Sequence, residues 1–420
     1  MTRKRSAGYI LVQALVAIAG LLALMAILAA DEHASLSTTE RTLCRQRAQF
    51  AEDAGIARAL AVLSSATPNV VQQTDDWYKL GNSGDDVFAF DDGSTFRLQI
   101  VDAASLINLN TAQQAQLMTL PLDQDQVDCL LDWRSAGTTP RSDGAKDDYY
   151  NALDQPYNAK LGNLDTVDEL LLVKNWTAET IYQTPPIQPT TDQYPTDANG
   201  VSLPLAALLT VDSGAPNTTA SGGARINVST RSISAASLIR AGVTSASAYR
   251  IVARAPFRTF EALLIVPGLS TADKRALLNN VKFTASTARV TGKYNLNTVT
   301  EGVLLTLPTV QQDIAGSIVE QQSSGFSTLG ALTTVNGVSS AALARIADLF
   351  SVGSDTWIAR VYGECGTYGV ACEAVIRYQN QKVQVVNLTR LNTSGVPAWW
   401  GWDAQPTANL QAGDLGEQSQ

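Results

Sequence analysis

Three aspartates in the segment DGAKDDYY are the side chains of this sequence that best suit a metal ion. They are Asp143, Asp147 and Asp148, and Gly144 lies among them. Carboxylate oxygens on a flexible loop suit the hard cation Ca²⁺. The segment lacks the D-x-[DN]-x-[DN]-G pattern of an EF-hand loop, so a solvated acidic loop that caps the next helix is the alternative. Both interpretations stay open: a structural calcium site at these three residues, or a loop without an ion.

Four cysteines are the next group that could do chemistry. Cys365 and Cys372 bound the short segment CGTYGVAC between two apolar runs. This spacing predicts a disulfide between them, formed in an oxidising compartment. A zinc site is disfavoured because neither a second cysteine pair nor a histidine pair accompanies them. Cys44 and Cys129 are interpreted as small buried residues.

The sequence offers little for catalysis or for binding nucleic acid. It has one histidine, His33. A metal site of several histidines is therefore disfavoured, and a Ser/His/Asp triad would have only this one residue as its base. We find no nucleophile–base pair and no phosphate-binding loop. The formal net charge of −9 argues against general binding of phosphates, which needs a surplus of Lys and Arg. We expect a protein that is not an enzyme.

The segment from Tyr9 to Ala30 is apolar and carries no formal charge. At about 1.5 Å per residue it is long enough to cross the ~30 Å core of a bilayer. It is too long for the apolar core of a typical signal peptide. Basic residues precede it at positions 3–5, and acidic residues follow it at positions 31 and 32. This charge bias predicts a single span with a cytoplasmic N-terminus and the body outside.

The helical pattern continues beyond the apolar segment, up to a stop signal at Ser64, Ser65 and Pro68. We therefore predict one helix of about 55 residues, half in lipid and half packed on a folded domain. The face predicted to pack consists of Leu43, Phe50, Ala54, Ala57, Leu60 and Ala61.

Both ends of the remaining sequence predict β-strands. Phe88 and Phe90 precede the turn signal Asp91-Asp92-Gly93, and alternating apolar residues follow it. Near the C-terminus, the runs TWIARVYG, EAVIRYQ and KVQVVNLTRL are rich in β-formers. The pattern favours one antiparallel sheet that is interrupted by a long insert.

The insert contains an internal repeat. INLNTA begins at Ile107, INVSTR at Ile226 and YNLNTV at Tyr294, and each opens a helical segment with Asn and Thr placed for capping. Two copies end in similar stretches, FEALLIVPGLSTADKRALL and LGALTTVNGVSSAALARI. These units resemble helix-hairpin-helix or SAM-like repeats. The fold class predicted is α+β: a pilin-like long N-terminal helix and an antiparallel sheet, with a large all-α insert.

Helix-hairpin-helix units also occur in a bacterial competence receptor that binds DNA outside the membrane, which INLNTA resembles. In that family a Gly-x-Gly hairpin lets backbone N–H groups approach a phosphate. Here Gly268-Leu269-Ser270 and Gly337-Val338-Ser339 lack the second glycine, and Pro121-Leu122-Asp123 has none. We therefore expect no nucleic-acid partner, and a membrane-anchored DNA receptor is the alternative from another functional class.

The N-terminus resembles that of a type IV pilin or pseudopilin, with a basic leader ending in Gly8, then Tyr9 and an unbroken apolar helix. The resemblance implies that a prepilin peptidase cuts between Gly8 and Tyr9 and that the new amine is methylated. Gln13 stands where the family usually has a glutamate. A carboxylate in an apolar filament core is costly unless an ammonium of a neighbouring subunit meets it. Gln13 therefore indicates a tip subunit with no neighbour above it, or else a polar residue tolerated near the helix end.

An ordered set of motifs resembles the minor pseudopilin K family of type II secretion systems, also called general secretion pathway protein K. The resemblance implies a structural protein that caps the periplasmic pseudopilus and helps to start it, and calcium in its helical domain. A tip minor pilin of a type IV pilus is the nearest alternative. Three helical units stand where the family is expected to have two. The motifs are AEDAGIARALAVL (Ala51–Leu63), LINLNTA (from Leu106), LLDWR (Leu130–Arg134), DGAKDDYY (Asp143–Tyr150), PYNAK (Pro156–Lys160) and LDTVDELLLV (Leu164–Val173).

The same resemblance implies the partners and the location. The partners expected are other minor pseudopilins in a tip complex, the major pseudopilin, the inner-membrane secretion platform, the prepilin peptidase and secreted cargo. The location expected is the bacterial inner membrane, with one span and the body in the periplasm. The predicted domains are the leader (1–8), the transmembrane part of the helix (9–30), the pilin-like helix and first strands (31–102), the first helical unit (103–183), a spacer (184–223), the second and third helical units (224–352), the C-terminal strands (353–403) and a loose tail (404–420).

Overall fold

One helix of 58 residues opens the chain, close to the predicted length. The structure, a computed structural model, describes residues 6–185, 194–196, 201–393, 395–402 and 408–411. The helices are α1 (Ser6–Leu63), α2 (Asp76–Lys79), α3 (Gln114–Leu117), α4 (Gln124–Arg134), α5 (Asp147–Tyr150), α6 (Ala178–Tyr182), α7 (Leu205–Leu208), α8 (Ala235–Arg240), α9 (Ser245–Arg254), α10 (Phe260–Leu264), α11 (Thr271–Asn280), α12 (Glu301–Leu305), α13 (Gln312–Gln322) and α14 (Ser340–Ile346). The strands are β1 (Asp86–Ala89), β2 (Ser94–Asp102), β3 (Ile107–Asn108), β4 (Leu209–Thr210), β5 (Gly214–Ala215), β6 (Ile226–Asn227), β7 (Val281–Lys282), β8 (Val290–Thr291), β9 (Tyr294–Asn295), β10 (Phe350–Ser351), β11 (Thr356–Cys365), β12 (Tyr368–Gln379), β13 (Lys382–Leu391) and β14 (Ala408–Gln411).

A six-stranded sheet joins the two ends of the folded body, in the order β13-β12-β11-β2-β1-β14. Strands β2 and β11 pair antiparallel, from Ser94 opposite Cys365 to Asp102 opposite Trp357. The sheet is therefore interrupted by the long insert, as the β-rich runs predicted. Strand β14 pairs with β1 in parallel, so the sheet is not wholly antiparallel. It also places a strand inside the segment predicted to be a loose tail.

Helix α1 packs on this sheet mainly through alanines, with Ile56 and Leu63 added towards its end. The predicted packing face is right only in part: Leu43 is 47% exposed and Phe50 is 71% exposed, whereas Ala54 and Leu60 are half-buried and pack against the core of the sheet. The apolar residues of the α1 face that is buried in the body are Ala48, Ala51, Ile56, Ala59 and Leu63.

Two glycines explain why the small-residue face is the one that packs. A Cβ atom added to Gly363 of β11 would lie 2.2 Å from the carbonyl oxygen of Ala48 and 2.6 Å from the backbone nitrogen of Glu52. A Cβ atom added to Gly55 of α1 would lie 2.4 Å from a methyl carbon of Val361. Helix and strand thus touch backbone to backbone, which leaves no room for leucine or phenylalanine.

One buried carboxylate also ties α1 to the far strand of the sheet. Glu52 is fully buried, and both of its carboxylate oxygens lie 3.2 Å from Nε of Arg390 in β13. Removing either partner would leave a buried charge or break a charge-assisted hydrogen bond.

The three sequence repeats share one backbone arrangement. Each begins with a two-residue strand that pairs in parallel with a two-residue strand at the end of the same unit: β3 with β4, β6 with β7, and β9 with β10. The Asn of each motif accepts a hydrogen bond from the N–H two residues later, at Asn108, Asn227 and Asn295. It therefore forms an Asx turn instead of capping a helix, since the first regular helix begins several residues further on.

These short strands change two expectations about the insert. The insert is mainly helical, but the all-α description is not confirmed, because its described residues contain four two-stranded sheets. The first unit closes at β4, inside the segment predicted to be a spacer. Leu205, Leu208 and Leu209 of that segment are buried in the same core as the repeats. One continuous apolar core thus runs from Ile107 to Val352.

Buried polar contacts join the insert to the sheet at two places. Asp102, at the end of β2, accepts hydrogen bonds from the Asn295 side chain (2.8 Å) and the Thr298 hydroxyl (2.7 Å). Nearby, Arg289 donates to Asp212 at 2.8 Å and to Asp355 at 2.6 Å. Hydrogen bonds that join distant parts of the chain fix the position of the third unit on the sheet.

The close approach of α1 to β11 predicts a strong effect of one methyl group. In Gly363→Ala the new Cβ meets backbone atoms that cannot rotate away, so we expect a loss of about 2–3 kcal/mol in the free energy of unfolding. Urea denaturation of the solubilised chain measures it.

The matched control is Gly316→Ala in α13, where the nearest atom to the added Cβ is 3.7 Å away. Because alanine favours a helix over glycine, this variant should be unchanged or up to about 1 kcal/mol more stable. Equal stability of the two variants would contradict the tight contact.

Candidate functional site

The first part of α1 has the length and composition of a membrane span. Leu11–Glu32 has a mean hydropathy of 2.6, and none of it is buried against the body. Tyr9 and Gln13 lie on this exposed part of the helix. Gly8 belongs to the same helix. Cleavage after Gly8, methylation of Tyr9 and the role of Gln13 as a marker of the filament tip stay predictions.

The second part of α1 presents a continuous face away from the sheet. Leu43 and Phe50 are exposed on it, while Ala51 and Glu52 on the opposite face are buried. Exposed apolar side chains at a spacing of seven residues form a stripe along one side of a helix. This stripe has no partner among the described residues, and it suits contact with another long helix.

Asp132, at the end of α4, organises the loop that follows. It is only 2% exposed. Its carboxylate accepts hydrogen bonds from the backbone N–H and from Nη1 of Arg141, both at 2.9 Å. A Cβ atom added to Gly144 would lie 1.9 Å from the same carboxylate, so this position requires glycine. The motifs LLDWR and DGAKDDYY are therefore two halves of one structure.

Lys146 and Arg134 complete that structure by bonding to backbone carbonyls. Nζ of Lys146 lies 2.5 Å from the carbonyl oxygen of Asp132 and 2.7 Å from that of Ser135. Arg134 donates to the carbonyl oxygens of Leu109 and Ala112, which follow the first repeat motif. The charged residues of these motifs thus hold the backbone of the first unit together, a structural use rather than a catalytic one.

The three aspartates predicted to hold calcium are not brought together. Asp147 accepts a hydrogen bond from the backbone N–H of Ala159 at 2.8 Å. Asp143 and Asp148 are exposed, as expected for a solvated acidic loop, but the N-cap of α5 is Lys146 and no side chain caps that helix. Among the described residues, which include Asp143 and Asp148, no group of three Asp, Glu, His or Cys side chains could hold a metal ion. This arrangement does not fit the predicted site.

The predicted disulfide between Cys365 and Cys372 is wrong. In the hairpin of β11 and β12, Cys365 lies opposite Tyr368, and Cys372 lies opposite Val361. The two cysteines are four positions apart along the strands, about 13 Å, whereas a disulfide joins Cα atoms less than about 7 Å apart. All four cysteines are free thiols in the structure.

Each cysteine instead has its own surroundings. Cys372 is fully buried beside Glu52, and burial, followed by that carboxylate, raises the pKa of its thiol far above the usual range. Cys129 is also fully buried, and burial raises its pKa to about 11. Cys365 lies against Cys44. Cys44 was interpreted as a small buried residue, but it is half-buried and has this cysteine as a neighbour.

The hairpins of the repeats use their own side chains where a DNA phosphate would bind. At the second repeat, the Asp273 carboxylate accepts from the backbone N–H groups of Ser270 (3.0 Å) and Thr244 (2.7 Å). Burial would raise the pKa of Asp273, but these bonds and those from the Ser270 and Ser247 hydroxyls outweigh it and hold the pKa well below the usual value. A fixed carboxylate therefore occupies the anion position at this helix start.

The other two hairpins are capped in a related way. Ser339 accepts from the N–H of Ala342 at 3.2 Å, and the Gln126 side chain accepts from the N–H of Asp123 at 3.0 Å. Backbone donors that are already satisfied have little to offer a phosphate.

Comparison with known proteins gives a match to a family model and matches to solved structures. The family model "Type II secretion system (T2SS), protein K" matches residues 103–187, about a fifth of the chain. Among curated proteins none matches the sequence. The chain is similar to a chain in the crystal structure of the GspK-GspI-GspJ complex from the type 2 secretion system of enterotoxigenic Escherichia coli. That similarity has 12% identity and a TM-score of 0.47 and covers 85% of this chain and 100% of that one.

The matched residues contain the Asp132 structure, the LINLNTA motif and the PYNAK and LDTVDELLLV segments. The resemblance was stated on these motifs and on Ala51–Leu63, which lies outside the match; the family model confirms it for residues 103–187. Residues 103–187 are similar to the first domain of the protein K family of type II secretion systems.

Proposed function

We propose that the chain is a minor pseudopilin of a type II secretion system, which caps the tip of the pseudopilus and helps to start its assembly. The observation that carries the proposal is the protein K domain at residues 103–187, in a chain that opens with an exposed apolar helix. The role is structural. The body would lie in the periplasm, on the side opposite the basic N-terminus.

Helix α1 supports a role in a filament because its first part suits a membrane and its second part packs on the folded body. Its apolar part can rest in the inner membrane before assembly and pack among other long helices afterwards. Its second part is rigidly attached to the body at Gly363 and Arg390. The stripe of Leu43 and Phe50 is free to meet the helices of partner subunits. Other minor pseudopilins are the partners that such a surface suits.

The bulk of the insert supports a position at the tip. The described buried residues between Ile107 and Val352 form one apolar core beside the sheet, within an insert that is more than half of the chain. A body of this size would block the addition of further subunits above it. Gln13 is consistent with this, since a tip subunit has no neighbour above it whose ammonium needs a carboxylate.

The test of the function is deletion of the chain from a bacterium that secretes through this system. We expect loss of secretion of the cargo proteins and fewer or no pseudopili, because assembly lacks its starting complex. Immunoblots of culture supernatants and of sheared filaments measure both. Normal secretion together with lost twitching or adhesion would place the chain in a type IV pilus instead.

Processing of the N-terminus is a separate prediction. Co-expression with a prepilin peptidase should give a mature chain that starts at Tyr9 with a methylated amine, measured by intact mass and terminal sequencing. A bulky replacement, Gly8→Phe, is expected to block cleavage, because a small leader residue is recognised at the cut. An uncut wild-type chain in the presence of the active peptidase would make the segment a plain anchor.

Calcium binding stays a prediction that the geometry of the aspartates does not favour. If Ca²⁺ binds at Asp143, Asp147 and Asp148, it should raise the Tm of the wild-type chain, and Asp148→Asn should reduce this rise. Asp91→Asn, in the β1–β2 turn, is the control with the same change of charge. An equal Tm with Ca²⁺ and with a chelator would exclude a structural ion.

A further inference from the structure

We propose that Cys44 and Cys365 form a disulfide that ties helix α1 to the end of the β11–β12 hairpin. The inference rests on the proposed function in one respect, since a body outside the inner membrane meets oxidants of thiols. The two residues are far apart in the sequence: Cys44 lies on the long helix, and Cys365 lies at the turn of the hairpin.

The register between α1 and β11 places these two residues at the same level. Val361 contacts Gly55, and Gly363 contacts Ala48 and Glu52. Each step of two residues along β11 covers about 6.7 Å, and one turn of the antiparallel helix covers about 5.4 Å. One further step along the strand therefore leads from Gly363 to Cys365, and one further turn of the helix leads from Ala48 to Cys44.

Direct contacts agree with this register. A Cβ atom added to Gly366, the residue after Cys365, would lie 3.7 Å from Sγ of Cys44. The Cys365 thiol also interacts with the Cys44 thiol. One turn further along the helix face, Arg47 binds Asp92 in the β1–β2 turn, with Nε 3.4 Å from the carboxylate. The helix is thus held over the ends of both hairpins.

The other two cysteines cannot compete for this bond. Cys129 lies in the first helical unit, where its thiol faces the carbonyl oxygen of Asp143 at 3.5 Å. Cys372 is buried beside Glu52, further along the hairpin. Among the described residues, Cys44 and Cys365 are the one pair of cysteines that meet.

The different exposure of the two cysteines decides which of them reacts first with an oxidant. Cys44 is half-buried and accessible to an oxidant, whereas Cys365 is buried. Burial, and then the Cys44 thiol, raise the pKa of Cys365 to about 11, so it is a thiol at neutral pH. The thiolate of Cys44 attacks a disulfide-bearing oxidant, forms a mixed disulfide and releases one sulfur of the oxidant as a thiol.

The second step completes the bond. Cys365 loses its proton and attacks the Cys44 sulfur of the mixed disulfide, and the second sulfur of the oxidant leaves as a thiol. The chain gives up two protons and two electrons, and the oxidant is reduced from a disulfide to two thiols. The chain gains one S–S bond, which fixes α1 just before the point where it begins to pack on the sheet at Ala48.

The experiment maps the disulfides of the full-length chain, solubilised in detergent. One sample is alkylated in the cells before lysis, and a second is purified, reduced and incubated with oxidised and reduced glutathione. Both are denatured, alkylated again and digested without reductant for mass spectrometry. We expect one peptide pair that joins Cys44 to Cys365, lighter by two hydrogens than the reduced pair, with Cys129 and Cys372 alkylated.

Two results would overturn the proposal: complete alkylation of Cys44 and Cys365 after glutathione oxidation, or a link from Cys365 to Cys372. Cys44→Ser should abolish the cross-link, and Cys129→Ser, the control, should keep it. Reduction should lower the Tm of the wild-type chain but not that of Cys44→Ser. The disulfide map needs no secretion assay, so the disulfide and the proposed function are tested separately. A cross-link that forms in glutathione but not in cells would contradict the periplasmic location and not the pairing of Cys44 with Cys365.

Discussion

The contact between helix α1 and strand β11 is the constraint on which the rest of the molecule depends. It brings two backbones together at Gly363, where even one methyl group has no space. This single contact gives the exposed apolar half of α1 a defined direction relative to the body. It also decides which face of the helix points outward, so Leu43 and Phe50 are exposed.

Much of this architecture follows from the sequence, because its signals are local. The long helix, the Asp91-Asp92-Gly93 turn and the three C-terminal strands depend on periodicity and turn residues, and the structure contains all of them. The repeat motifs also depend on a local rule, the Asx turn of Asn108, Asn227 and Asn295. Their neighbours in space could not be predicted, since two-residue strands leave no periodic pattern.

The errors share one physical cause. The packed face of α1 was chosen by hydrophobicity, but a sheet that presents glycine selects alanine and glycine from the helix instead. The cysteine pair was chosen because the two residues are close in sequence. The turn of the hairpin lies directly after Cys365, however, so Cys372 lies four positions further along the paired strands. In both cases the relevant partner lies hundreds of residues away, beyond the reach of a pattern. A row of small residues at Ala48, Ala51 and Gly55 was the signal that could have found the first.

In each repeat, and in the insert as a whole, the first and last strands are paired with each other. Each repeat enters and leaves through two short strands side by side, and the whole insert enters and leaves through β2 and β11, which are also neighbours. A segment whose ends already touch can grow, shrink or be duplicated without moving what lies outside it. The insert can therefore gain a repeat while β2 and β11, where it begins and ends, stay paired. The size and surface of the insert can thus change while helix α1 and the sheet keep their arrangement.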